Sequence, residues 1–149
     1  MHITEPVRED TSHHAASQTA QRIFDTVARH LLGQGEQAYD ERTDTVRFVY
    51  RDLRSPVGRL LLLDDGTDLY GEELEGQEVA TSQLLRRRLA EAGYPIDHEH
   101  PRRVLAWLEY LHHYSSPRRW LGDLAGDAQA MRVSSQILVR EGNLEVARA

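Results

Sequence analysis

Only one stretch of this chain alternates as a β-strand does, and every other patterned segment repeats at helical spacing. Val46, Phe48 and Tyr50 fall on one side of a period-two run and Arg47, Val49 and Arg51 on the other. A second apolar run, Val57–Leu63, follows the turn chemistry of Asp52–Pro56, and Asp64-Asp65-Gly66 closes it. The two runs read as a β-hairpin, with a short helix over 57–63 as the alternative. Two strands cannot bury a core by themselves, so helices must cover one face. The fold class that follows is α+β, a short two-stranded hairpin packed against four to five helices.

The helices are legible from their stripes. Ala20, Ile23, Phe24, Val27, Ala28 and Leu31 define the first, capped by Ser17 or Thr19 and stopped at Gly33 and Gly35. A second runs from a Thr81 or Ser82 cap to Ala92. A third begins near Pro101 with Val104, Leu105, Trp107, Leu108, Leu111 and Tyr114 on its apolar side. Ser116-Pro117 opens a fourth through Trp120, Leu121, Leu124, Ala125, Ala128 and Met131, and Ser134–Arg140 forms a last short segment. Residues 1–14 read as a flexible arm, 15–141 as one domain and 142–149 as a frayed end.

Composition removes several function classes. There is no cysteine, so disulfides, thiol catalysis and Cys-ligated metal are excluded. All 18 basic residues are arginine, which leaves no Schiff-base or P-loop lysine. A net charge of −6 disfavours nucleic acid and anionic membranes. The longest leucine run, Leu60–Leu63, is far shorter than a membrane span of roughly 20 residues. The cytoplasm is the default location, and no cofactor is expected.

Charge is unevenly placed. No basic residue occurs between Arg59 and Arg86, and that gap holds Asp64, Asp65, Asp68, Glu72, Glu73, Glu75 and Glu78. Complementary faces within one fold would account for this, with Arg86–Arg88 and Arg118–Arg119 as the counter-charges. The functional alternative is an acidic surface for a protein partner. His98, His100 and His112 are the candidate metal ligands. Their spacing is not the i, i+4 pair of a metal-binding helix, and a structural histidine at 112 that donates to a backbone carbonyl is the simpler reading. Asp64, Asp65 and Asp68 around Gly66 lack calcium-loop spacing. Ser115-Ser116 and Ser134-Ser135 sit in no nucleophile elbow. Trp107 and Trp120 read as core.

Phe48-Val49-Tyr50-Arg51, Val57-Gly58-Arg59-Leu60-Leu61 and Tyr70…Leu74-Glu75-Gly76, in that order, resemble a family of small uncharacterised bacterial and prophage-associated proteins. Ile23-Phe24-Asp25 through Gly35, and Leu108-Glu109…Leu111-His112 followed by Trp120, resemble its helices. The resemblance implies a phage or mobile-element setting and brings no activity with it. Cysteines common in that family are replaced here by Phe48, Ser55 and Arg59, and an aspartate by His113. The leading functional reading is a non-enzymatic protein-binding module of phage or prophage origin, an inhibitor of a host system in its narrower form. The alternatives are a metal-dependent enzyme using the histidines and a protein that self-associates through the hairpin edge, so that monomer and homodimer both stay open.

Overall fold

The structure, a computed structural model, describes residues 4–140 and gives side chains from Ser12 onward. The fold is α+β. Six helices carry most of the described chain, and strand is confined there to two antiparallel two-stranded sheets. None of these helices is long and apolar enough to cross a membrane.

Helix α1 spans Thr4–Gln34, so the expected arm of residues 1–14 is helical from Thr4 on. Alanines at 15 and 16 carry the helix back past Ser17, and each residue added to a formed helix costs little. Ser17 and Thr19 are therefore not caps. Thr19 Oγ1 donates to the Ala15 carbonyl one turn back, and Ser17 Oγ pairs with His100. The far end stops as the sequence implies, at Gly35 with φ +68° and its N–H on the Leu31 carbonyl. The expected fraying of 142–149 lies outside the described residues.

Helix α4 (Glu99–Tyr114) lies along α1, and this pair is the spine of the core. Ile23, Phe24, Val27 and Leu31 of α1 meet a layer containing Val104, Leu105, Leu108 and Leu111 of α4, all buried. Helices α3 (Gln83–Glu91), α5 (Trp120–Asp127) and α6 (Gln136–Arg140) close it with Leu85, Leu89, Trp120, Leu124, Ile137 and Leu138. Each large apolar side chain buried contributes about 1.5–3 kcal/mol. A backbone hydrogen bond nets about 1 kcal/mol. The helical seam, not the short ladders, holds the fold together.

The β-region differs from a single hairpin. β1 (Tyr39–Asp40) pairs with β2 (Thr45–Val46), and β3 (Val49–Tyr50) pairs with β4 (Leu53–Arg54). The alternating run is thus split, Val46 pairing backward and Val49–Tyr50 forward. Pro56–Leu60 is helix α2, the alternative the sequence left open. The cause is local. Ser55 Oγ accepts the Gly58 N–H, and Pro56 occupies the first turn, where its missing N–H goes unnoticed. Gly58 is required here, because a Cβ on it would stand 2.1 Å from the Phe48 carbonyl oxygen. Leu60 and Leu61 are fully buried, and the chain then reverses through Gly66, φ +92°, with Leu62 bridged to Asp68.

Candidate functional site

The acidic segment folds back over the β3–β4 hairpin, and its seven carboxylates part company. Glu75 turns inward. Its Oε1 and Oε2 accept the Phe48 N–H at 2.9 and 3.1 Å, and Oε2 also accepts the Val49 N–H at 3.1 Å and the Tyr70 hydroxyl at 2.6 Å. Burial and the Glu75 bond push the Tyr70 hydroxyl well above the ordinary tyrosine range. Asp68 takes a two-pronged contact from Arg54 Nη1 and Nη2, which holds its carboxyl below the usual range. Glu72 pairs with Arg47, and Glu73 with Arg88 at 3.2 Å. Asp65 accepts the Thr67 N–H in its own turn at 2.9 Å. Asp64 and Glu78 are exposed, with no side-chain partner among the described residues. The counter-charges are therefore chiefly Arg47 and Arg54, which precede the segment. Of the arginines after it, Arg88 alone forms an ion pair with the segment among the described residues.

The three histidines do not converge. His98 precedes α4 and His100 lies in its first turn, while His112 is twelve residues further along, roughly 18 Å at 1.5 Å per residue. A metal ion holds its ligands within about 2.1 Å. Among the described residues no three His, Asp or Glu side chains gather closely enough to do so. His98 and His100 instead border a polar cleft of about 720 Å³ with His13, Ser17, Arg103 and Arg132. Both ring nitrogens of His100 are occupied, by Ser17 Oγ at 3.1 Å and the Met131 carbonyl at 3.0 Å. His112 is fully buried and accepts, rather than donates: its Nε2 takes the Ala38 N–H at 3.1 Å, leaving Nδ1 without a partner among the described residues. Burial first, then the neighbouring His30 and His113, lower His112 to about 4. It is a neutral core residue.

A different site appears on the outer face of α4. Tyr110 and Tyr114 are the exposed large hydrophobic residues among those described, at 65% and 69% exposure. Tyr114 thus leaves the apolar side expected for it. The two rings pack against each other at a tilt of 43°, 4.6 Å between centroids, and His113 packs against Tyr114 at 4.3 Å. A groove of about 390 Å³ runs beside this ridge, walled by Phe48, Val79, Ala106 and Tyr110, with Glu78 and Glu109 contributing carboxylates. A second depression on the other side involves Trp107, Arg119, Asp123 and Asp127. Trp107 is half-buried, its Nε1 donating to Asp127 at 3.2 Å, whereas Trp120 is fully enclosed.

Glu109 joins this groove to the core. Its Oε2 accepts the Ser55 hydroxyl and the Val57 N–H, each at 2.7 Å, so it caps the start of α2 together with Ser55. No cation faces it. Desolvation raises its carboxyl to about 7 against the opposing pull of these two bonds, and the charge on Glu75 adds to the rise. Sequence reasoning passed over Glu109, Tyr110 and Tyr114 as site residues. Compared with protein-family models, curated proteins and solved structures, the chain matches nothing.

Proposed function

We propose that this chain is a non-enzymatic protein-binding module whose contact face is the tyrosine ridge of α4 and the groove beside it. One observation carries the reading: the two most exposed large hydrophobic side chains among the described residues stand one helical turn apart, in ring contact, beside a concave apolar wall. Scattered surface hydrophobics need no explanation, but a contiguous aromatic patch beside a groove is the form binding anchors take. Tyrosine suits that role because it offers a large rigid area and a polar tip.

The acidic segment enters this reading at the rim. Glu78 edges the groove, and the net charge of −6 favours encounter with a basic partner more than it adds affinity. Glu75 is too occupied with the hairpin backbone to serve as a contact. A phage or prophage setting, inhibition of a host system and a cytoplasmic location belong to the same reading, supported by the order of sequence motifs and by composition.

Affinity capture with the full chain, comparing wild type with the Tyr110→Ser/Tyr114→Ser variant, tests it. A partner retained by wild type and lost by the variant is the expected result. An identical partner set for both proteins refutes the ridge as the contact face. Light scattering distinguishes the alternative of self-association through the hairpin edge, which requires a dimer; a monomer mass removes it.

A further inference from the structure

Glu72, Glu73, Glu75 and Asp68 each have an arginine within 4 Å, while the two carboxylates of the groove have none among the described residues. Glu109 uses Oε2 for Ser55 and Val57, and its Oε1 has no partner among the described residues. The groove lining contains no arginine in a chain that has 18. It does contain Phe48, Tyr110 and Tyr114, rings whose faces attract a cation brought within about 6 Å.

We infer that the groove receives an arginine side chain carried by a basic segment of the partner, an inference that rests on the protein-binding reading of this same face. The chemistry selects guanidinium over ammonium. A guanidinium is planar and forked, so its edge meets a carboxylate while its face lies on an aromatic ring. It is also the less strongly hydrated of the two, so entering an apolar groove strips less water from it. Glu109 supplies the inner acceptor, Glu78 the outer one and Tyr110 the stacking face. The net charge of −6 steers such a segment toward the molecule.

Titration of the isotope-labelled full chain with acetyl-triarginine amide, followed by NMR, tests the assignment, with acetyl-trilysine amide as the charge-matched control. Shifts at Val79, Ala106, Tyr110 and the Tyr114 ring should saturate at roughly millimolar peptide. Triarginine should bind about threefold or more tighter than trilysine. Glu109→Gln keeps an oxygen for Ser55 and Val57 and should weaken binding about fivefold or more. Tyr110→Ser, at an exposed position, should weaken it independently. Shifts that gather instead on Asp64, Asp65, Glu72 and Glu73, no saturable shift at the groove, or unchanged binding by both variants would overturn the inference. A partner captured through Tyr110 and Tyr114 without triarginine binding refutes the arginine occupant and leaves the protein-binding reading standing. Triarginine binding at the groove with no ridge-dependent partner supports the arginine chemistry and refutes that reading.

Discussion

Glu109→Gln should change how the stability of this protein depends on pH while leaving its fold intact. Glu109 titrates at about 7 in the folded chain against a reference of 4.5, because its carboxyl is desolvated. The folded state therefore holds that proton more tightly than the unfolded state. Its stabilising contribution is full below pH 4.5 and is lost as pH rises toward and through 7. His112 acts in the opposite sense. Buried and lowered from 6.5 to about 4, it contributes stability that is full above pH 6.5 and is lost as pH falls through 4. Each separation is about 2.5 pH units, worth about 3.5 kcal/mol at about 1.4 kcal/mol per unit. Because Glu109 is half-buried and borders the groove, about 2 kcal/mol is the working figure for it.

Between pH 4.5 and 6.5 the two contributions run against each other, and His30, whose pKa is also lowered by burial, acts in the same sense as His112. The glutamine variant removes the Glu109 contribution alone. Urea unfolding followed by the fluorescence of Trp107 and Trp120, at steps from pH 4.5 to 7.5, measures both proteins. Subtracting the wild-type profile from the variant profile cancels every other titrating group, Asp68 and Glu73 included. The difference should climb by about 2 kcal/mol between pH 4.5 and 7. A flat or descending difference would falsify the desolvated environment assigned to Glu109.

Gly58→Ala forces a Cβ to within 2.1 Å of the Phe48 carbonyl and should lower stability by about 2 kcal/mol or more in thermal or urea melts. Glu75→Arg removes the acceptor for Phe48 N–H, Val49 N–H and the Tyr70 hydroxyl, and a loss of about 2–4 kcal/mol is expected. Glu72→Arg and Glu73→Arg, whose partners are exposed ion pairs, should each change stability by less than about 1 kcal/mol in the same melts. Metal analysis of purified protein should find no stoichiometric zinc, iron or manganese; one equivalent lost on His98→Ala would contradict the separation of the histidines along α4.

Stripes and stops were readable, and tertiary partners were not. The helices of the core follow from their apolar spacing and from Gly35, Ser82 and Pro117, since those signals act within a turn or two. The same logic was available at Ser55-Pro56, whose cap and first-turn proline match the pattern at Ser116-Pro117. There the four leucines drew the reading toward a strand, because a short apolar run has no periodicity to arbitrate. Tyr114 follows Leu105 by nine residues and Tyr110 follows Pro101 by nine, which at 100° per residue sets each on the opposite face. Grouping tyrosine with the aliphatic residues concealed a ridge that the helix geometry already implied.

The acidic segment shows why composition alone misplaces a site. A gap of basic residues in sequence is not a gap in space: the reversal at Gly66 lays Asp68 on Arg54 and Glu72 on Arg47, and Glu75 spends its charge on the hairpin backbone. Of the seven carboxylates, Glu78 alone borders the groove beside the ridge. The more telling carboxylate carried a different sequence signal. Glu109 follows Leu105 by four residues, which puts an ionisable group at the edge of the buried stripe of α4. Charges taken out of water are rare unless paired, and half-buried Glu109 has hydrogen bonds but no ion pair among the described residues. Such a group is tolerated only where something else compensates its desolvation. In the free chain its raised pKa does so, by favouring the protonated form; in the proposed complex a partner's guanidinium would take that place.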